Sequence, residues 1–267
     1  MKKFEKTVIC CDVDGTLLGD DFKIPKANLE AIEYFRSEGG KFTFATGRTN
    51  KGLRLLFNEV KPDMPVVCQN GCAIYDYATE EYLWHAPLSC DAAEVIDYID
   101  KKYPLAGIEL MTVKDAYCLK QNHATIKHEL DEKYTLTPGN YRDIHEDWLK
   151  IVFADSPENI DIIQKDLENS PYYDEYKMVR SFCTYYEFFP RDVSKGKGVT
   201  EFEKLFSLGM ENIVVVGDNE NDCEMLSLPC RSFAPSSSQQ FAKDCADVVL
   251  KSSNNDGVLK EIIELID

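Results

Sequence analysis

An α/β fold is what this sequence predicts: a parallel sheet covered by helices, with a second, α+β unit inserted between the two halves of that sheet. Three observations carry the expectation. Apolar strand-like runs alternate with amphipathic helical runs over residues 7–69, which calls for parallel strands joined by helical crossovers. The same alternation resumes at residue 198 and continues towards the end. Between the two, residues 86–185 mix helices and hairpin-like strands in a different order.

The elements follow in order. Residues 7–12 form a buried strand. Pro25 opens a helix whose apolar positions include Leu29, Ile32, Tyr34 and Phe35, and Gly39-Gly40 stops it. A second strand covers 41–46, a second helix 52–60 and a third strand 65–69. After Asn70-Gly71 the pattern becomes a hairpin, 73–77 and 82–85. The inserted segment holds helices at 91–103, 123–134 and 157–168, with strands at 107–111, 116–120, 149–154, 176–180 and 184–189. The second half returns with a helix at 198–208, a strongly apolar strand at 212–216 and a short helix at 221–226. Ser236-Ser237-Ser238 then reads as a helix N-cap, followed by a strand at 248–250 and a closing helix at 257–266. The expected organisation is a Rossmann-like core of residues 1–85 and 186–267 carrying an α+β cap of residues 86–185.

Composition narrows the partners. With 30 basic and 47 acidic side chains the formal net charge is −17, which repels nucleic acid and anionic membranes. The same field repels a phosphorylated ligand, so a phosphate site must be neutralised locally. No apolar run approaches the roughly 18 residues of a membrane span. The apolar stretch after Met1-Lys2-Lys3 breaks at Asp12, too short for a signal peptide. The ten cysteines form no CxxC pair, and Cys10, Cys11 and Cys68 lie in apolar runs, so all ten are expected as reduced thiols in a cytoplasmic protein. The four histidines, His85, His123, His128 and His145, lack zinc-ligand spacing.

Ligands of open parallel sheets bind beyond the carboxyl ends of the strands, so the polar residues there are the informative ones. The first strand ends in Asp12-Val13-Asp14-Gly15-Thr16. Two carboxylates at a buried strand end call for a cation between them, and oxygen ligands suit Mg²⁺; an Asp-Gly turn alone is the plainer alternative. The second strand ends in Thr46-Gly47-Arg48: a hydroxyl, a backbone open to close approach and a guanidinium suited to anions, although a simple strand-to-helix turn would use the same residues. A later strand ends in Gly217-Asp218-Asn219-Glu220-Asn221-Asp222. Cys223 and Pro229 stand where a calcium-binding EF-hand loop needs Gly and Glu, which excludes that motif. Asn221 and Asp222 also suit the first turn of a helix; Asp218, separated from four apolar residues by Gly217 alone, suits it less. Val193-Ser194-Lys195-Gly196-Lys197-Gly198 looks like a phosphate loop without the Walker Gly-Lys-[Ser/Thr], and alone reads as a solvated helix start.

The order of these pieces resembles the haloacid dehalogenase-like superfamily of phosphotransferases, over essentially the whole chain: Asp-x-Asp-Gly-Thr, a strand-end Thr, a Lys before a helix, then Gly-Asp-x-x-Asn-Asp. Thr46-Gly47-Arg48, Gln69-Asn70-Gly71, Val193-Ser194-Lys195-Gly196 and the tail Asn254-Asn255-Asp256-Gly257-Val258 resemble its Cof-type branch, subfamily IIB, whose α+β cap is inserted at this point. Phe233-Ala234-Pro235-Ser236-Ser237 departs from the Ala-Met-Gly-Asn-Ala-like run usual there.

The resemblance implies a Mg²⁺-dependent phosphatase acting on a small phosphorylated metabolite, a sugar phosphate foremost, through an aspartyl phosphate on Asp12. It makes Asp14 the acid and base. It assigns the metal to Asp12, the Asp14 backbone carbonyl and Asp218, phosphate binding to Thr46, Gly47, Lys195 and Asn221, and an orienting role to Asp222. Arg48 and Asn70 are candidate substrate contacts. In the cap, Lys120, Arg142, Arg180 and Tyr186 could contact substrate or serve ordinary structural roles, and Tyr185-Tyr186 and Phe188-Phe189 are expected to pack the hinge. A phosphomutase, which passes the phosphoryl group to a second hydroxyl, stays open on the same residues. So do a module that only accepts phosphate and an idle binding protein. Response-regulator receivers place their Asp after the third strand, where this chain has Gln69-Asn70. No nucleic acid or membrane partner is expected, and the chain is expected as a monomer or weak homo-oligomer.

Overall fold

Four consecutive buried residues, Val8-Ile9-Cys10-Cys11, place β1 (Val8–Cys11) in the middle of a parallel sheet, where both faces of a strand are covered. The computed structural model describes residues 2–89, 91–132 and 135–267. In the first half of the chain β1 is followed by α1 (Lys26–Ser37), β2 (Lys41–Phe44), α2 (Asn50–Leu53), β3 (Val66–Cys68), β4 (Ala73–Asp76) and β5 (Glu81–His85). The middle holds α3 (Ala92–Lys102), β6 (Gly107–Thr112), β7 (Ala116–Lys120), α4 (His123–Glu132), β8 (Thr137–Pro138), β9 (Trp148–Ala154), α5 (Pro157–Glu168), α6 (Tyr172–Glu175), β10 (Tyr176–Phe182) and β11 (Tyr185–Pro190). The last part holds α7 (Lys195–Phe206), β12 (Ile213–Val216), α8 (Cys223–Leu226), β13 (Arg231–Ala234), α9 (Gln240–Cys245), β14 (Val248–Val249) and α10 (Val258–Ile266).

The chain divides into two compact units, one running to Trp84 and resuming over Ser194–Asp267, the other His85–Val193. The first unit has a parallel sheet in the order β14-β13-β12-β1-β2, with β1 paired to β12 and β2. A single parallel bridge, Ala45 to Val67, attaches β3, which starts the antiparallel β3-β4-β5 sheet. Phe35, Phe42 and Phe44 are fully buried, as are Val199, Phe202 and Met225.

Four points in this unit need correction, the first being that α9 begins after Gln239 and takes no side-chain cap from Ser236-Ser237-Ser238. The helix expected over 52–60 is only α2 with a short 3-10 turn, Arg54–Leu56. The helix expected from 198 starts at Lys195, capped by the Ser194 hydroxyl, which accepts the Lys197 N–H at 3.0 Å. Gly196 and Gly198 disguise its first turn, since glycine is a poor helix former. Gly198 is glycine because a Cβ there would lie 2.4 Å from the Val67 side chain and 2.8 Å from Gly71. Strand β13 was not anticipated, because Arg231 and Ser232 break the apolar run by which the other strands are read; Ser232 is nevertheless buried in the sheet.

The second unit is a six-stranded sheet in the order β10-β11-β9-β6-β7-β8, antiparallel except for β7 with β8. One face packs α3 and α5 through Val95, Ile99, Phe153, Ile160 and Ile163. The expected boundary at 185/186 is wrong: it would cut off β11, which pairs with both β10 and β9, so the unit runs on to Val193. For the same reason Tyr186 and Phe188 pack in this unit's own core and Tyr185 in a smaller cluster on it, not at a hinge. The helix expected over 123–134 forms as α4; Lys133 and Tyr134 lie outside the described residues. The nine described cysteines are free thiols, and Cys90 lies outside the described residues. No described helix is long and apolar enough to cross a membrane.

Candidate active site

The β1–β12 pairing continues one step beyond the strands, where the Asp12 N–H donates to the Val216 carbonyl at 3.0 Å. That register sets Asp12 beside the turn carrying Asp218 and Asp222. On the other side the Ala45 N–H donates to the Cys11 carbonyl and the Thr46 N–H to the Val67 carbonyl, both at 2.9 Å. Adjacent parallel strands thus bring residues from three distant stretches of chain to one sheet edge.

Lys195, the first residue of α7, is buried, and its ammonium donates to Asp12 Oδ1 at 2.6 Å and Asp222 Oδ1 at 2.7 Å. Burial alone would weaken the hold on that proton, but Asp12 and Asp222 outweigh it and raise the Lys195 pKa. Asp222 is fully buried; its Oδ2 accepts the backbone N–H groups of Asp218 at 3.0 Å and Asn219 at 3.1 Å. Asp218 accepts the Thr16 hydroxyl at 2.9 Å, and one of its oxygens lies within 4.8 Å of one on Asp12. Its approach explains Gly15: at φ +80° a Cβ would meet Asp218 Oδ2 at 2.4 Å.

One ammonium stands against three carboxylates, so the cluster keeps uncompensated negative charge. Burial, with Asp222 adding to it, pushes the Asp218 carboxyl up to about 6. Burial likewise pushes Asp12 well above the carboxylate range, although Lys195 pulls the other way. A site that attracts protons so strongly is one a divalent cation can relieve. One oxygen from each of Asp12, Asp218 and Asp222 lies within 4.8 Å of the others, and the all-oxygen donor set fits a hard cation such as Mg²⁺. Asp222 already engages Lys195 and two N–H groups, which leaves Asp12 and Asp218 as the better ligands.

The remaining expected residues converge on the same edge. Thr46 is buried, and its Oγ1 accepts the Arg48 N–H at 3.2 Å. The Asn221 amide donates to Asn70 Oδ1 at 2.9 Å, and a Cβ on Gly47 would lie 3.0 Å from that same oxygen. The half-exposed Asp14 is gripped by Arg48 through Nε at 2.8 Å and Nη2 at 2.7 Å. Two residues escaped sequence reading: Thr16, although it belongs to the Asp-x-Asp-Gly-Thr run, and Asn219, which forms a capping box with Asp222. The cap candidates do not stand free. Lys120 pairs with Asp100, Arg142 with Asp97 and Arg180 with Asp161, while Tyr186 is buried in an apolar core.

A parallel α/β sheet with an acidic cluster around a buried lysine at its carboxyl edge, together with an α+β insertion, defines the class of this protein. More closely, the chain belongs to the haloacid dehalogenase-like hydrolase family, whose model matches residues 9–262. It is 26% identical over 258 residues to the 5-amino-6-(5-phospho-D-ribitylamino)uracil phosphatase YcsE of Bacillus subtilis, covering 96% of this chain and 94% of that one. It is 23% identical over 276 residues to the pyridoxal phosphate phosphatase YbhA of Escherichia coli K12, covering 96% and 97%. The solved structure of the subclass IIB sugar phosphatase BT4131 has the same fold, with a TM-score of 0.81 at 20% identity over 98% of this chain and 100% of that one.

Proposed function

We propose that this chain is a Mg²⁺-dependent phosphatase that cleaves a small phosphorylated metabolite, a sugar or polyol phosphate foremost, through an aspartyl phosphate on Asp12. The observation that carries the reading is the buried Lys195 ammonium holding Asp12 Oδ1 at 2.6 Å, with Asp218 close by. A carboxylate so fixed has one oxygen oriented by the lysine and the other available to attack phosphorus, which divides one difficult displacement into two easier ones.

The metal would be held by Asp12, Asp218 and the Asp14 backbone carbonyl, and when bound it supplies the positive charge that offsets repulsion between carboxylate and phosphoryl oxygens. Lys195 neutralises further charge on Asp12 and on the transferring group. The Thr46 hydroxyl, the Gly47 backbone and the Asn221 amide bind phosphoryl oxygens. Asp14 donates a proton to the departing ester oxygen and later removes one from the water that attacks the phosphorus of the Asp12 acyl phosphate, breaking its O–P bond to release phosphate and the Asp12 carboxylate, so the group ends each cycle as it began. Asp222 holds Lys195 in place. The second unit supplies discrimination between leaving groups.

Two of the phosphatases named above act on a ribityl phosphate and on pyridoxal phosphate, which supports a small phosphorylated substrate. The test is hydrolysis of p-nitrophenyl phosphate with Mg²⁺, followed by a panel of sugar, polyol and pyridoxal phosphates. The Asp12→Asn protein is expected to be inactive at every metal concentration; equal turnover by it and the parent chain would overturn the nucleophile assignment.

A further inference from the structure

We infer that Arg48 is a positioning residue that works through Asp14 and not a contact to the phosphoryl group; this rests on the reading of Asp14 as the acid and base. Arg48 donates from both Nε and Nη2 to the two oxygens of the Asp14 carboxylate, at 2.8 and 2.7 Å. The arginine side chain is 17% exposed and the aspartate 51% exposed, so the better-buried partner holds the freer one. A planar two-donor fork fixes both the position and the plane of a carboxylate, which a lysine cannot do. Guanidinium has no acceptor and gives up no proton, so what Arg48 can contribute to proton transfer at Asp14 is orientation.

The backbone shows why Arg48 can serve as an anchor. Its N–H donates to Thr46 Oγ1 at 3.2 Å and its carbonyl accepts the Gln69 N–H at 2.9 Å, while the Asn70 N–H donates to the Thr46 carbonyl at 2.9 Å. Gln69 and Asn70 hold φ values of +52° and +55°, followed by Gly71 at +89°. Side chains seldom accept that left-handed region, and two in succession persist only where surrounding bonds over-determine them. Here the strained turn aims two consecutive N–H groups at the Thr46–Arg48 loop. Asn70 Oδ1 also accepts the Asn221 amide at 2.9 Å, tying the turn to the Asp218 loop. The contacts run from the turn to the Arg48 backbone and from the guanidinium to Asp14.

Leaving groups separate this role from phosphate binding. An alkyl alcohol must be protonated as it departs, whereas p-nitrophenolate departs nearly unaided, and kcat/KM reports the steps up to that departure. Arg48→Ala, Arg48→Lys, Asp14→Asn and the Arg48→Ala/Asp14→Asn double variant are compared on glycerol phosphate and p-nitrophenyl phosphate with Mg²⁺. Expected is a fall in kcat/KM of roughly 10- to 100-fold on glycerol phosphate and under about 5-fold on p-nitrophenyl phosphate for both Arg48 variants. Added guanidinium ion should partly restore Arg48→Ala, and the double variant should be no worse than Asp14→Asn alone. Equal falls on both esters, or a double-variant loss equal to the product of the single losses, would overturn the role for Arg48. Should Asp14→Asn itself lose equally on both esters, the acid assignment fails instead, and the two failures are distinguishable.

Discussion

Asp222 grips Lys195 with one carboxylate oxygen, at 2.7 Å, and turns the other to the backbone N–H groups of Asp218 and Asn219. One side chain therefore fixes both the cation beside Asp12 and the loop that presents Asp218. The Gly-Asp-x-x-Asn-Asp run works as a unit for that reason: its last carboxylate orders its first.

Asp222→Asn should show how much depends on this double grip. An amide offers one acceptor and one donor, so whichever way it turns it faces either Lys195 or the two N–H groups with a hydrogen of its own. We expect a loss of about 1–3 kcal/mol of stability, since buried donors go unmet. Turnover of p-nitrophenyl phosphate should fall more than tenfold, because Lys195 loses its second anchor. Thermal unfolding and steady-state kinetics on the same sample check both; an unchanged midpoint with full activity would refute the dual role.

Magnesium and pH should be linked through Asp218. In the metal-free protein its carboxyl is pushed up to about 6 from 3.8. A carboxyl whose folded-state pKa is raised stabilises the fold at low pH and loses that contribution as pH rises through the folded value. The loss falls between about pH 4 and 6 and is worth about 3 kcal/mol. A bound divalent cation replaces the proton, so the rise in melting temperature on adding Mg²⁺ should be small near about pH 5 and several degrees larger near about pH 7.5. Asp218→Asn should flatten that difference. A magnesium effect independent of pH in the parent chain would separate Asp218 from the metal.

Much of this site was legible in the sequence because parallel strands end where their apolar runs end. Asp12 directly follows Val8–Cys11 and Asp218 is the second residue after Ile213–Val216, and pairing of those two strands brings the carboxylates together. Lys195 was legible only by resemblance: Gly196 and Gly198 hide the helix that carries it, and they are there for close packing, which no local pattern reports. The Arg48 grip on Asp14 was invisible, since a guanidinium at a strand end suits a phosphate as well as a carboxylate. In the second unit the sequence placed five of the six strands, missed the two-residue β8 and set the boundary wrongly, because the pairing of β11 with β9, well earlier in the chain, is not a local signal.

The second unit offers a stability test independent of the active site. Lys150 and Glu187 are both buried on neighbouring strands, 2.8 Å apart. Removing the Lys150 charge takes from Glu187 the ammonium it faces at 2.8 Å, and from nearby buried Glu109 a stabilising positive charge. Lys150→Met is expected to cost about 3–5 kcal/mol, and the Lys150→Met/Glu187→Leu double variant to recover most of it. Urea unfolding of the three proteins would reveal this; equal loss in single and double variants would mean that the pair's packing matters and its charge does not.

Gly15→Ala probes the close approach of backbone to Asp218. Its backbone lies at φ +80°, and the new methyl would meet Asp218 Oδ2 at 2.4 Å. The strained φ alone is worth about 1–2 kcal/mol, which unfolding should register as a modest drop in midpoint. The contact matters more for function, since Asp218 must retreat from the position where it faces Asp12 and accepts the Thr16 hydroxyl. Displacements on the order of 1 Å at such a site cost about 100-fold in rate. Because the displaced group is a metal ligand in the proposed mechanism, the loss should be accompanied by a higher Mg²⁺ concentration for half-maximal activity. Titrating Mg²⁺ at saturating substrate measures that shift directly. A variant with an unchanged magnesium requirement and full turnover would mean that the loop yields without moving Asp218.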